Sequence, residues 1–567
     1  MNKIAITITT GVLGLCAQGL AATTGPEVSS FAQYCSSKYR VDEPTQKVSA
    51  VLVNKKGSVT YWLNDNKVSS STFISEAEKY EKNDKARNNY IPPKVTRGKQ
   101  SYTLNKNKYS YNEVQVGGTS VSGGYKVDNT YFMDIGGLKS AIGFNYGNVW
   151  NHGGKNVSVL LMAEGVPMLH YSNNVISEPY PGNSQYRSLE DRWIINRYGQ
   201  LLNHIAPDAC YKGFDVLKYH EKGLRPTYPK GIQNTSKSVD GDQCGPFYVG
   251  AHVYTNTKSK DYNSYTDEAA VLDDFIYNTR IVQFASAGEG DYPNSAAFAT
   301  NAITVGGVYR QKDEAGDYYW KNAIFGRNGA QIVKPEILGF NHIFVTGNKA
   351  YNVVNTKTGE KEYVSHPTTG NKNTAAATIF MAGMAADLLS EQPFYRWHPE
   401  VVKALMISAS VYQIHNPNFD SDNKDKPVGS VGDKIPQFAN NLMDENVSRY
   451  WLGNHNDHFV NNKISFTEDG FEKGAKYRIA ISWLNRGDCS IYGNRLQQNM
   501  TLTVTAYDNN GKKYNTYTST LDNSGYQLVE FTAPVSGNYK VEINRSDRVS
   551  GSTERVILGY NRHKVQW

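Results

Sequence analysis

Apolar runs alternate with helical segments between about residue 130 and residue 412. Short runs of this kind are typical of strands buried on both faces of a parallel sheet. Strands are predicted over residues 157–162, 209–217, 247–254, 281–287 and 302–308. Helices are predicted over residues 266–277, 374–390 and 399–410. This alternation predicts an α/β domain, a parallel sheet with helices on both faces, over residues 101–440.

After about residue 445 the helical spacing disappears and apolar residues alternate with polar ones. Strands are predicted over residues 477–483, 501–507, 526–531 and 539–544, with turns at 508–511 and 536–538. Alternation with turn residues between the strands is typical of antiparallel sheets. The pattern predicts a C-terminal β-sandwich over residues 441–567.

A smaller unit is predicted ahead of the α/β domain. Residues 48–53 and 58–63 fit a pair of strands around a Gly-containing turn, and a polar helix is predicted over 71–82. Pro92 and Pro93 then mark a linker. Residues 23–100 therefore fit an α+β unit, which is either a folding-assistant propeptide or an accessory module.

The first 22 residues have the pattern of an export signal. Lys3 precedes an almost uncharged stretch that ends near Ala21 and Ala22. Thr, Gly and Gln interrupt this stretch, which is too short to span a membrane. No later window approaches 18 uninterrupted apolar residues. The sequence thus predicts a signal peptide over 1–22 and a secreted or periplasmic protein without a membrane span.

Charge and cysteine content narrow the function classes. The net charge of +7 is spread over 567 residues, with no dense Lys/Arg run interleaved with aromatics, so nucleic acid is not an expected partner.

Removal of the signal leaves Cys35, Cys210, Cys244 and Cys489. An even number in an exported chain permits disulfides in three full pairings, although buried free thiols are the alternative.

Seven motifs of the α/β region occur in a fixed order. They are the strand Asn156-Val157-Ser158-Val159-Leu160-Leu161-Met162-Ala163-Glu164-Gly165-Val166, His170, Ile205-Ala206-Pro207-Asp208-Ala209, Phe284-Ala285-Ser286-Ala287-Gly288-Glu289-Gly290, the segment 292–308, Lys334-Pro335-Glu336-Ile337, and the segment 373–383. This order resembles that of the subtilisin-like serine peptidases. The C-terminal strands, with residues 529–537 in particular, are similar to a module of large secreted members. The resemblance implies a subtilisin-like fold.

The resemblance also implies that the peptidase chemistry is missing, because acyl transfer needs a nucleophile, a base, an orienting carboxylate and oxyanion donors. Aligning Met381-Ala382-Gly383 with the family motif puts Ala375 at the nucleophile position. The carboxylate position falls on Ala163, unless the adjacent Glu164 replaces it.

The base and the oxyanion donor are missing in the same way. The family's catalytic histidine lies well before the Ala-Pro motif, yet no histidine stands between His170 and His204. Glu289 occupies the position of the oxyanion-hole Asn, where an ionised carboxylate repels the developing oxyanion. The catalytic site is therefore predicted to be degenerate, with no catalytic residue assigned.

Three residues remain as candidates for another role in the cleft. Thr374 is either a substitute nucleophile or the family's structural Thr. Glu164 and Glu289 are either an acid/base pair or two solvated carboxylates in a disused cleft. No cofactor is expected. Structural calcium is compatible with a secreted fold, but no loop, including residues 240–242, carries enough ligands to assign a site.

One disulfide is predicted from the resemblance. Cys210 lies on the strand after the Ala-Pro motif, and Cys244 directly precedes the strand that follows it in sequence. In the fold that the chain resembles, those strands are expected to be neighbours. A Cys210–Cys244 disulfide follows if the two Cα atoms lie about 5.5 Å apart.

These observations favour a secreted pseudopeptidase whose cleft binds a polypeptide partner without cutting it. A serine-type endopeptidase or other hydrolase with a rearranged site is the first alternative. A structural surface protein that uses the 40 tyrosines of the chain is the second. A pseudopeptidase requires an open cleft that binds its partner, and a hydrolase requires a catalytic cleft. A structural protein is compatible with a cleft that its own loops fill.

Overall fold

The computed structural model describes the following parts of the chain: residues 27–28, 46–53, 59–64, 66–73, 75, 94–95, 114–115, 119–121, 124–127, 130–134, 153–163, 175–177, 198–199, 201–202, 205–215, 247–253, 267–288, 296–312, 318–324, 334–345, 351–354, 361–364, 369–372, 374–413, 434–436, 446–485, 498–521, 524–547 and 555–565.

The strands before residue 135 are β1 Glu27–Val28, β2 Gln46–Val53, β3 Val59–Leu63, β4 Asn66–Val68, β5 Lys94–Val95, β6 Val114–Gln115, β7 Thr119–Val121, β8 Gly124–Val127 and β9 Thr130–Asp134. The next elements are β10 Ser158–Ala163, β11 Val175–Ser177, β12 Cys210–Asp215, β13 Phe247–His252, helix α1 Asp267–Thr279, β14 Val282–Ser286, a 3₁₀ turn Ala296–Phe298, β15 Ile303–Lys312, β16 Tyr318–Ile324, β17 Ile337–Phe340, β18 His342–Val345, β19 Tyr351–Val354, β20 Lys361–Val364, β21 Thr369–Lys372, α2 Thr374–Glu391, a 3₁₀ turn Pro393–Tyr395 and α3 Pro399–Ser408. The C-terminal elements are β22 Ser410–Gln413, β23 Lys434–Pro436, β24 Asn446–Asn454, α4 His455–His458, β25 Lys463–Phe471, β26 Lys476–Trp483, β27 Gln498–Tyr507, β28 Lys513–Ser519, β29 Tyr526–Thr532, β30 Gly537–Asp547 and β31 Arg555–Val565.

The centre of the molecule is a parallel sheet with the strand order β11-β12-β10-β13-β14-β15. Each neighbouring pair in this series is parallel. The five predicted strands are all present, and the helices α2 and α3 pack against the sheet. The predicted α/β fold class is thereby confirmed.

Helix α2 is buried from Thr374 to Leu389. It begins with small side chains, Ala375 to Ala377, and so approaches the sheet closely. A Cβ atom placed on Gly383 would lie 2.5 Å from Cγ2 of Ile205, which is closer than real Cβ contacts. The glycine of the Met-Ala-Gly motif is therefore required for close packing of this helix.

The C-terminal strands form two facing antiparallel sheets in the described part of the chain. One has the order β25-β30-β27-β28, and the other contains β29-β26-β31-β24. Aromatic rings fill the space between them. Phe471 and Tyr539 of the first sheet stack at 4.0 Å between ring centroids, and Phe471 meets Tyr477 of the second sheet at 4.7 Å. The predicted β-sandwich is present.

The N-terminal strands extend the second sheet of the sandwich. β2 pairs antiparallel with β24, and β3 and β4 follow, which gives the order β29-β26-β31-β24-β2-β3-β4. Residues 46–68 and the C-terminal strands thus share one sheet.

Helix α3 joins the α/β domain to the sandwich. It packs against β14 on one side and against β26 and β31 on the other. Arg478 of β26 donates hydrogen bonds to the carbonyls of Ser408 and Ile407 at 2.9 and 3.1 Å. A cation at the C-terminal end of a helix is favoured by the helix dipole, so this side chain both caps and docks α3.

Candidate functional site

The carboxyl edge of the parallel sheet carries the positions that sequence motifs identify. Ala163 ends β10, His252 ends β13 and Ser286 ends β14. Met162 is in register with His252, and His252 with Ala285. Ala163 and Ser286 therefore lie level, two strand spacings or about 10 Å apart.

The topology places a switch point at this edge. The chain leaves β10 towards β11 and β12 on one side, whereas β13 leads to β14 and β15 on the other. The strand order thus reverses between β10 and β13. In open α/β sheets, ligands bind outside the carboxyl ends of the strands at such a switch point.

Three residues next to this edge form the hydroxyl cluster, which we define as Ser286, Gly288 and Thr374. The Thr374 hydroxyl lies 2.6 Å from the Ser286 hydroxyl, donates to the Gly288 carbonyl at 3.1 Å and accepts from the Gly288 N–H at 3.2 Å. Gly288 has a φ of 107°, a conformation that favours glycine, and both of its backbone polar groups reach Thr374.

The arrangement of the hydroxyl cluster is that of a structural tie. If Thr374 donates its single hydroxyl hydrogen to the Gly288 carbonyl, Ser286 must donate to Thr374. Both side chains are buried, and Thr374 is 0% exposed. In that arrangement the Thr374 proton is directed at the Gly288 carbonyl. The cluster fixes the start of α2 to the end of β14.

Ala375 is the second residue of α2. It is 2% exposed and belongs to the hydrophobic core. Its methyl group has no nucleophilic atom, so the position adds packing to the helix and no chemistry.

His252 lies close to the candidate site and is buried. It does not belong to any of the sequence motifs. It is in register with Ala285, while Ser286 is the next residue along β14. Because successive side chains of a strand point to opposite faces, His252 points to the face opposite Ser286 and Thr374. It is therefore not placed to act as a base for either hydroxyl.

The structure describes only some of the remaining predicted site residues. Ala163 is described as the last residue of β10, in register with Asp215. Glu164, Glu289, Cys244, His170 and His204 lie outside the described residues. Their roles stay predictions, and so does the loss of the complete catalytic set.

The expectation that β12 and β13 are neighbouring strands, on which the Cys210–Cys244 disulfide was based, is wrong. Cys210 begins β12 and pairs with Ser158 of β10, while Ser158 pairs on its other side with Phe247 of β13. β10 thus separates the two strands that were expected to be neighbours. Their backbones are about 10 Å apart, two strand spacings. The disulfide itself stays a prediction, which now requires residue 244 to approach β12 across the end of β10.

A second buried polar group, the ionic cluster of Lys334, Glu336 and Lys403, lies where the α/β domain meets the sandwich. Both ammonium groups contact Oε1 of Glu336 at 2.6 Å. Their other hydrogens go to the carbonyls of residues 299, 300 and 302, and Oε2 of Glu336 accepts the Thr304 N–H at 2.8 Å. All three side chains are fully buried.

The ionic cluster is coupled to the sandwich through neighbouring residues. Asn301 donates to the Asn485 carbonyl at 2.6 Å and accepts the Asn485 N–H at 2.8 Å. The Lys403 ammonium lies 5.7 Å from the centre of the Tyr526 ring. Burial lowers the pKa of Lys334 to about 8, partly offset by the Glu336 carboxylate. Lys334 and Glu336 belong to a motif of the sequence, but Lys403 does not.

The described residues contain neither a candidate metal site nor a membrane-spanning helix. Among these residues, no group of three or more His, Cys, Asp or Glu side chains is placed to hold a metal ion. No helix among them is long and apolar enough to cross a membrane.

No family model matches this chain, and neither does any curated protein. Solved structures with a similar fold include the prenylagaramide maturation protease PagA, at 15% identity over 55% of this chain and 99% of that chain, with a TM-score of 0.32. Fervidolysin from Fervidobacterium pennivorans, described as a keratinolytic enzyme related to subtilisin, is 14% identical over 86% of this chain and 69% of its own, with a TM-score of 0.32. A serine protease of Aeromonas sobria is 12% identical over 73% and 89%, with a TM-score of 0.29. These values do not establish membership of a family.

Proposed function

We propose that this chain is an exported subtilisin-like pseudopeptidase, which binds a polypeptide at the carboxyl edge of its parallel sheet and does not hydrolyse it. The observation that carries the proposal is the start of α2. There the Thr374 hydroxyl is buried and bonded to Gly288 and Ser286, and the next side chain is the buried methyl of Ala375. The sequence adds the missing histidine and the Ala163 and Glu289 replacements.

Polypeptide binding is supported by the position of the topological switch point. The switch point between β10 and β13 lies beside Ala163, at the edge where parallel sheets take ligands. An extended peptide binds largely through main-chain hydrogen bonds to strand-like backbone, and this mode needs no catalytic group. This edge of the sheet can therefore bind a polypeptide without catalytic residues.

The absence of peptidase activity is tested with a fluorophosphonate probe and with casein hydrolysis. We expect neither labelling nor cleavage by the purified protein. The matched variant is Thr374→Ala. Labelling of the wild type that this variant abolishes would show that Thr374 is a nucleophile, and would favour a hydrolase with a rearranged site.

Polypeptide binding is tested with fluorescein-labelled, unfolded casein by fluorescence anisotropy. Ala163→Trp places a large side chain at the end of β10 and is expected to weaken binding about tenfold, or about 1.4 kcal/mol. The control is Thr516→Trp, at an exposed position of β28 in the sandwich. Equal binding by both variants, or no binding by the wild type, would contradict the proposal and favour a structural role.

Export, the disulfide and calcium form part of the same proposal. Mass spectrometry of protein secreted by a bacterial host is expected to show loss of residues 1–22.

Non-reducing peptide mapping is expected to recover Cys210 and Cys244 in one linked peptide; a linked peptide with Cys35 or Cys489 would replace that pairing. A melting temperature that rises with added Ca²⁺ would support structural calcium.

A further inference from the structure

Residues 46–73, here called the N-terminal segment, are built into the C-terminal sheet. β2 pairs with β24 from Gln46 opposite Leu452 to Leu52 opposite Val447. On its other side, β24 pairs with β31 along nine residues. Without β2, the outer edge of β24 would expose a row of unpaired backbone groups, an arrangement that proteins normally cover.

Aromatic side chains fasten the segment at a second point. Residues 70–73 are helical and begin after Ser69, whose hydroxyl accepts the Thr72 N–H at 3.0 Å. This short turn brings Phe73 onto Tyr61, with ring centroids 4.6 Å apart. Phe73 is 3% exposed and Tyr61 is 7% exposed, so both rings leave water.

The aromatic contacts continue into the rest of the molecule. Phe73 lies 5.5 Å from Phe394, which follows α2, and Phe394 lies 5.7 Å from Tyr450 of β24. His398 stacks on Tyr450 at 4.1 Å and contacts Glu400 at 2.9 Å. The segment therefore packs against the α/β domain and the sandwich together, where the two meet.

This placement differs from that of a removable segment. A removable segment must leave behind a surface that is stable in water, whereas loss of this one would uncover the edge of β24 and the rings of Phe394 and Tyr450. Phe394 and Tyr450 are 2% and 3% exposed, and the segment contacts them through the Phe73 ring and the pairing of Ser49 with Tyr450. The buried aromatic area and the backbone pairing both favour retention.

We propose that residues 46–73 stay in the mature protein as a built-in strand donor, and that after cleavage between residues 76 and 93 the pairing of β2 with β24 and the contacts of Phe73 are sufficient to hold the two chains together. The occupant of the β24 edge is the chain's own segment. This inference goes beyond the pseudopeptidase function and does not depend on it.

The test inserts a recognition site for a specific protease between residues 76 and 93 of the full-length protein. After cleavage and reduction of disulfides, size-exclusion chromatography under native conditions is expected to give one peak at the elution volume of the uncut protein treated in the same way. Denaturing electrophoresis of that peak is expected to show both fragments. The uncut insertion variant, with the melting temperature of the wild type, is the control for folding.

Matched substitutions sharpen the test. Phe73→Ala is expected to release the N-terminal fragment after cleavage and to lower the melting temperature of the uncut protein. Lys67→Ala, at an exposed position of β4, is expected to change neither. Separation of the wild-type fragments on dilution, with the larger one keeping its melting temperature, would overturn the proposal. A cleaved protein that elutes as a dimer, with segments exchanged between copies, would overturn the intramolecular assignment.

Discussion

The hydroxyl cluster and the ionic cluster are both buried in the α/β domain and differ in their charge. The hydroxyl cluster at the start of α2 is neutral, and each contact joins a hydroxyl to a hydroxyl or to the Gly288 backbone. The ionic cluster at the sandwich holds two ammonium groups on one carboxylate. Charges are far more costly to bury than hydroxyls and are retained only where they are fully paired.

This difference shows where the fold depends on polar side chains. The ionic cluster joins α3, residues 334–336 and residues 299–304 next to the sandwich, so removal of Glu336 leaves two buried ammonium groups without their carboxylate, whereas removal of one lysine leaves a single ion pair. The hydroxyl cluster lies at the carboxyl edge of the parallel sheet and joins the start of α2 to the end of β14. The ionic cluster is therefore expected to contribute more to stability than the hydroxyl cluster.

The largest expected effect is that of Glu336→Gln. The substitution removes the charge that both Lys334 and Lys403 contact, and breaking a buried pair costs about 3–5 kcal/mol. Urea unfolding should show this loss in the free energy of unfolding. The control is Glu542→Gln in the sandwich, whose partner Lys463 is 43% exposed, with an expected loss below about 1 kcal/mol. Equal losses would mean that the ionic cluster contributes no more than a surface pair.

A smaller effect is expected from Thr374→Val. The valine keeps the shape of the side chain but leaves the Gly288 backbone and the Ser286 hydroxyl without their partner, at a cost of about 1–3 kcal/mol. Thr374→Ser retains the hydroxyl and should lose less. If the serine variant proved the less stable, packing of the methyl group would outweigh the hydrogen bonds.

The pH dependence of stability separates the two clusters. The pKa of Lys334 is about 8 in the folded protein, against an ordinary value of 10.5. Between these values the unfolded chain binds more protons, so the free energy of unfolding rises with pH, by at most about 1.4 kcal/mol per pH unit. Burial raises the pKa of Tyr526, which acts in the opposite direction above pH 10, so the useful window is about pH 8 to 9.5.

Urea titrations across this window should show the rise for the wild type and for Thr374→Val. Lys334→Met should lack it. A slope that persists in the methionine variant would assign the titration to another group.

The smallest expected effect is on activity. The double variant Ala163→Asp, Ala375→Ser restores two side chains of a triad but supplies no histidine, and a triad works as a unit. We expect no measurable hydrolysis of peptide esters, with or without Glu289→Asn. Hydrolysis by the double variant would reveal a base elsewhere in the chain, and the pseudopeptidase proposal would give way to a rearranged hydrolase.

Local patterns predicted most of the elements that carry the site. The strand predicted over 281–287 is Val282–Ser286, and the helix predicted over 374–390 is Thr374–Glu391. The strands β24, β25, β28 and β31 were not predicted. In β28 the side chains from Lys513 to Thr516 are all exposed, so this strand lacks the apolar alternation on which the prediction depends.

The sequence by itself determined the order of the five central strands and three helices of the α/β domain, the absence of a histidine between residues 170 and 204, and the methyl side chains at 163 and 375. These properties are local, because periodicity and residue identity depend on near neighbours in the chain. Only the tertiary structure decided that β10 separates β12 from β13, that Lys403 shares the carboxylate of Glu336, and that Leu52 pairs with Val447. A strand's alternation specifies which face is buried but not which partner it meets, since pairing between distant segments depends on packing of the whole fold.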